Sequence, residues 1–171
     1  MKKFLSVLTG VVLISTTCMA ATNKMEILGT YGDWTAYSYS DPDGKVCYIA
    51  SSPIKSAGKY KKRDDVFLIV THRPKQKTFN VINTVAGYTY KKGSKPSFSI
   101  DKNKAFSLSS YADTAWAKDN DTDKKIVNQL KKGNKAVLSG SSVRGTKTTD
   151  TFSLKGFSKA YQEINKACGY K

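Results

Sequence analysis

The chain has 171 residues, 39% of them hydrophobic, with 29 lysines and arginines against 13 acids and a formal charge of +16. Without the first 20 residues, which read as a leader, 151 remain, a length that suits one domain of about 100–150 residues and can bury about 70% of its unfolded surface; no repeat, low-complexity tract or dividing linker argues for more. The charge favours anionic partners: lipid headgroups, lipopolysaccharide, sulfated glycans, acidic proteins or nucleic acid.

Met1–Ala20 reads as a cleaved signal peptide. Lys2 and Lys3 precede an apolar run from Phe4 to Ile14, and Cys18-Met19-Ala20 ends on a small residue. The run is shorter than the roughly 20 apolar residues of a spanning helix; a retained anchor or a lipoprotein cysteine at Cys18 are the alternatives. Cleavage leaves residues 21–171 as one domain with a formal charge of +14, exported to the periplasm or the outer cell surface. It also leaves two cysteines, Cys47 and Cys168, which allow a single pairing in an oxidising compartment. Two buried free thiols are the alternative. A metal site is a poorer fit, since two cysteines and one distant histidine are not a usual ligand set.

The body of the chain predicts short strands separated by turn chemistry, the pattern of a sandwich. Trp34–Tyr39 and Lys45–Ser51 pair across the turn Asp41-Pro42-Asp43-Gly44. Lys55–Arg63 reads as a polar loop. Val66–Thr71 is a continuous apolar run, expected to be a central strand buried on both sides and stopped by Pro74. Phe79–Ala86 is the next strand, and Gly87–Lys95 carries two tyrosines and a basic turn. Phe98–Ile100 and Ala105–Ser109 form a hairpin. Asp121 and Thr122 are N-cap candidates for a short helix whose Ile126, Val127 and Leu130 face inward, with Gly133 as its stop.

The last stretch is the most ordered in pattern. Ala136–Ser142 and Thr146–Leu154 predict a hairpin turning at Val143-Arg144-Gly145. After Gly156, the residues Phe157, Ala160, Tyr161, Ile164, Ala167 and Cys168 share one face of a helix. The expected fold is therefore mainly β: an antiparallel β-sandwich of immunoglobulin-like architecture with two short helices, one C-terminal. A Cys47–Cys168 bond would pin the last helix to an early strand.

The run Arg144–Phe157, R-G-T-x-T-T-D-T-F-S-L-x-G-F, resembles the closing signature of the invasion-associated locus B family of bacterial secreted proteins. Collinear matches precede it at Gly32–Trp34, Lys45–Ser51, Val70–Pro74, Ala86–Ser94 and Asp113–Ala117. The resemblance implies a role in host-cell association or invasion. It brings no general biochemical activity with it.

The chain's own chemistry points to binding. The one histidine, His72, ends a strand with no nucleophile elbow and no H-E-x-x-H around it, so it reads as a hydrogen-bonded structural residue. No catalytic residue, metal ligand or cofactor motif is expected, and the protein is read as a non-enzyme. The candidate anion- or glycan-binding residues form three groups. Lys59, Lys61, Lys62 and Arg63 surround Tyr60 in a loop. Tyr88 and Tyr90, with Lys91, Lys92 and Lys95, offer ring faces to sugars and charge to sulfate or phosphate. Arg144 stands at a hairpin tip, where it either meets an acidic ligand or pairs with Asp150. Only Arg63, Arg73 and Arg144 are arginines; lysine is a hydrated point charge, which suits diffuse attraction and not sequence-specific nucleic acid readout. The expected partner is an anionic envelope or host-surface component: a glycan, a lipid headgroup or an acidic protein. The competing readings are an envelope-structural or chaperone-like protein for an acidic partner and, less favoured, a hydrolase.

Overall fold

The computed structural model describes residues 24–171; the expected leader, Met1–Ala20, lies outside them. Twelve strands and two helices follow in order: β1 (Glu26–Tyr31), β2 (Trp34–Asp41), β3 (Gly44–Ser51), β4 (Lys55–Gly58), β5 (Phe67–Arg73), β6 (Thr78–Val85), β7 (Ser97–Ile100), β8 (Phe106–Ser107), β9 (Ser109–Tyr111), β10 (Thr114–Trp116), α1 (Asn120–Leu130), β11 (Lys135–Ser141), β12 (Lys147–Ser153) and α2 (Phe157–Cys168). The strands make two antiparallel sheets, one of seven in the order β1-β2-β3-β5-β6-β10-β9 and one of five in the order β4-β12-β11-β7-β8. This is the expected antiparallel β-sandwich.

Alternation along the strands divides each sheet into a buried and an open face. In the large sheet Trp34, Ala36, Ile49, Leu68, Val70 and Ile82 point inward, meeting Phe98, Ile100, Leu138 and Phe152 of the small one. The expectation for β5 needs correction. Only Leu68, Val70 and His72 are buried, while Phe67, Ile69 and Thr71 are half-buried on the outer face, because no layer of the fold is stacked there.

Helix α2 lies on the inner face across β1, β2, β3 and β5, and α1 lies on β6. Burying Phe157 and Ile164 of α2 completely contributes roughly 1.5–3 kcal/mol each. Phe157 meets the Trp34 ring edge-on, centroids 4.9 Å apart. The Trp34 indole N–H donates to the Ser153 carbonyl at 3.0 Å, so one side chain joins both sheets to the helix. The turn into α2 needs a glycine: Gly156 sits at φ 92°, and a Cβ there would lie 1.7 Å from the Tyr31 carbonyl oxygen. Cys168, in the last turn of α2, is joined to Cys47 of β3 by a disulfide with Cα atoms 6.1 Å apart.

Smaller departures have local causes. The segment Lys55–Arg63 is not all loop, because Lys55–Gly58 pairs with Thr148–Thr151 as an edge strand. The cap of α1 is Asp119 and not Asp121 or Thr122. Its extended backbone lets its carboxylate accept from the Thr122 N–H at 2.8 Å and the Thr122 hydroxyl at 2.6 Å. Strands β1, β9 and β10 were not expected. They are short or polar and take their pairing from neighbours, not from internal hydrophobic pattern.

Candidate functional site

Three stretches far apart in sequence converge beyond one end of the small sheet. The segment 86–91 is the floor between two walls. On one side, the Asp64 N–H donates to the Gly87 carbonyl at 3.1 Å and fastens the 59–64 loop. Gly87 has φ 66°, and a Cβ on it would stand 2.2 Å from the Asp64 carbonyl oxygen, so this approach requires glycine. On the other side, the β11–β12 turn is fastened by Val143 N–H to Thr89 O and by Lys91 N–H to Ser141 O, 3.0 and 2.9 Å. The result is a groove of about 680 Å³, with Lys59, Lys61 and Lys62 on one wall and Arg144 on the other.

Those four cations are exposed, and among the described residues none of them forms an ion pair. Asp64 is the one carboxylate on the lining. Tyr60, 38% exposed, leaves much of its ring open to solvent beside them. Such an arrangement attracts a multiply charged anion over a surface, with an aromatic ring available for an apolar sugar face.

Arg63 is a different case, and the expectation that it offers surface charge is corrected. Its side chain is 5% exposed and Asp150 is 1% exposed; the two form a bidentate pair with both N···O distances 2.7 Å. Its Nε–H also donates to the Ala86 carbonyl at 2.6 Å, and its guanidinium lies over the Tyr88 and Tyr60 rings at 4.9 and 5.5 Å. Burial disfavours the charge, but Asp150 more than restores it, so Arg63 is held above its ordinary range. Arg63 bolts the loop to β12. The same pair overturns the Arg144–Asp150 pairing: Asp150 points into the sandwich and Arg144 lies at the exposed tip.

The two tyrosines are not open rings. Tyr90 is 4% exposed and packs edge-on against Tyr88, centroids 5.3 Å apart. Tyr88 lines the groove but is half-buried, its hydroxyl 2.7 Å from the Thr148 hydroxyl. Burial raises both phenols above their ordinary value. Lys91, Lys92 and Lys95 are exposed but off the groove lining; Lys95 stands beside Lys147 on a neighbouring depression. Tyr60 is the residue that sequence reasoning left among its neighbours without a role. Its aromatic character between lysines was the available signal.

His72 is fully buried. Its Nδ1 accepts from the Asn80 backbone N–H at 3.0 Å, which leaves the proton on Nε2 to donate to Asn165 Oδ1 at 2.8 Å. Asn80, at φ 64° beside a register shift between β5 and β6, donates in turn to the Tyr170 hydroxyl at 2.8 Å and accepts from the Tyr161 hydroxyl at 2.5 Å. Burial lowers the His72 pKa. The network ties α2 to the sheet next to the disulfide, and Asp64 and Asp65 take no part in it. Among the described residues no group of three or more His, Cys, Asp or Glu is placed to hold a metal ion, and no helix is long and apolar enough to cross a membrane.

What the geometry defines is an antiparallel β-sandwich protein whose C-terminal helix is sealed to the large sheet by a disulfide and a buried polar network. The chain belongs to the Invasion associated locus B (IalB) protein family, whose model matches residues 34–165, from the core tryptophan to the last helix. No curated protein and no solved structure matches it.

Proposed function

We propose that this is an exported binding protein that attaches to an anionic surface component through the groove between the 59–64 loop and the β11–β12 turn. One observation carries the reading: Lys59, Lys61, Lys62 and Arg144, from two remote stretches, face one groove whose lining holds a single carboxylate, Asp64, and none of the four forms an ion pair among the described residues. Lysine ammonium groups spaced along a wall suit several separate sulfates, phosphates or uronates better than one buried phosphate, and the fork that would grip a single phosphate, Arg63, is already held by Asp150. Export to the periplasm or outer surface is supported by the disulfide, which persists in oxidising compartments. Family membership supports a role in host-cell association, with the groove as the point of contact.

The test is titration with a heparin-derived dodecasaccharide, lipopolysaccharide and anionic phospholipid vesicles, with neutral dextran as the control. Binding to the anionic probes should fall steeply with salt, since exposed charges are screened over about 10 Å at 0.1 M. Replacing Lys61, Lys62 and Arg144 together by glutamine removes three exposed contacts of about 0.2–1 kcal/mol each, a loss of about three- to 150-fold in affinity. Binding that ignores salt and survives this triple substitution would refute the groove.

A further inference from the structure

The outer face of the seven-stranded sheet has a character opposite to the rest of the molecule. Register places Ile27 beside Tyr37, Tyr37 beside Tyr48 and Tyr48 beside Thr71 in one row. A second row runs through Ala50, Ile69, Asn83 and Trp116; a third ends at Tyr111, opposite Thr114. Of the large hydrophobic side chains exposed among the described residues, Ile27 (65%), Tyr111 (78%) and Trp116 (38%) all stand on this face. Met25 (55%) reaches it through Tyr48, whose hydroxyl donates to its sulfur at 3.3 Å. No residue of these three rows carries a formal charge. At their border Arg73 is paired with Asp41 at 2.7 Å. This is what makes β5 apolar on both sides.

We propose that this face is where two copies of the chain meet, sheet against sheet, about a twofold axis. Charge selects the occupant. A body of formal charge +14 without its leader repels its own copies wherever lysines would face one another, and this uncharged face lets two copies touch without doing so. At its centre the Tyr37 and Tyr48 rings stack on each other, centroids 4.8 Å and planes 14° apart, so one face of each is already covered. Extent is adequate as well. The rows, about 7 Å apart, together cross all seven strands, about 4.8 Å apart, for roughly 600–700 Å² per partner, and two such faces reach roughly the 1,200 Å² at which specific interfaces begin.

Sedimentation velocity on the purified protein from about 1 to 200 μM, at 150 and 500 mM NaCl, tests this. A reversible monomer–dimer equilibrium is expected that tightens about threefold or more at the higher salt, because screening weakens the general repulsion and leaves the uncharged contact intact. Groove binding has the opposite salt dependence, so the two are separable in one buffer series. Trp116→Lys and, separately, Ile27→Lys should give monomers at every concentration while keeping the midpoint the parent shows at high dilution, where it too is monomeric; Ile27 is on an edge strand and well exposed, so its variant folds even if the other does not. A wild-type monomer throughout would overturn the proposal. So would a dimer that weakens with or ignores salt, or one that survives a folded variant. Monomers whose Trp fluorescence shifts with a neutral oligosaccharide would assign the face to sugar instead.

Discussion

Replacing Asp150 by asparagine tests whether the groove is held by a buried charge. Asparagine keeps the size of the side chain and removes its charge, leaving the Arg63 guanidinium 5% exposed without a counter-ion. Two 2.7 Å charge-assisted bonds are weakened, while the bond to the Ala86 carbonyl and the Tyr88 ring still keep the guanidinium out of water. Breaking a buried pair from one side costs about 3–5 kcal/mol. With a urea m-value of about 2 kcal/mol/M, the denaturation midpoint should drop by roughly 1.5–2.5 M. The double variant Arg63→Met, Asp150→Leu removes both charges, fills similar volume, and should recover most of that loss, since apolar replacement of both partners of a buried pair is often neutral or stabilising. A polyanion titration on Asp150→Asn at low denaturant should weaken in parallel, because the 59–64 wall loses its bolt. The reasoning fails if Asp150→Asn unfolds within about 1 kcal/mol of the parent, or if the double variant is damaged as much as the single.

Other consequences are checkable separately. Thiol titration in denaturant without reductant should find no reactive thiol from Cys47 or Cys168; opening their loop, 121 positions apart in sequence, should lower stability by at most about 4–5 kcal/mol, the chain-entropy value. His72 titrates below its ordinary 6.5 because burial disfavours its cation, so the unfolded chain takes up the extra proton first. Stability should be full above about pH 6.5 and fall as pH drops from there towards the folded pKa, by up to about 1.4 kcal/mol per pH unit. His72→Gln, whose amide keeps one acceptor and one donor, should flatten that slope; an unchanged pH profile would remove His72 as its source. Replacing Lys91, Lys92 and Lys95 by glutamine should cost less polyanion affinity than the groove triple, with the thermal midpoint of both nearly unchanged; equal losses would mean that net charge, not the groove, governs binding.

Local pattern alone determined a good deal. The helical face from Phe157 to Cys168, the Ser142–Thr146 turn, the strand pairs around Asp41–Gly44 and the cysteine partners were all legible, because period, turn residues and a cysteine count are properties of neighbouring residues. The basic loop and Arg144 were legible as charge. Nothing local, however, says which cations are free. Arg63 and Lys62 are adjacent in sequence, and only the fold, by passing β12 beneath the loop, gives Asp150 to the first and leaves the second in water. Tyr88 and Tyr90 looked like an open aromatic pair until the packing of segment 86–91 against Gly140 and Thr148 buried them. The apolar run of β5 carried the same ambiguity. A residue's hydrophobicity records that it avoids water somewhere, and only the arrangement of layers decides whether the surface that covers it belongs to its own chain.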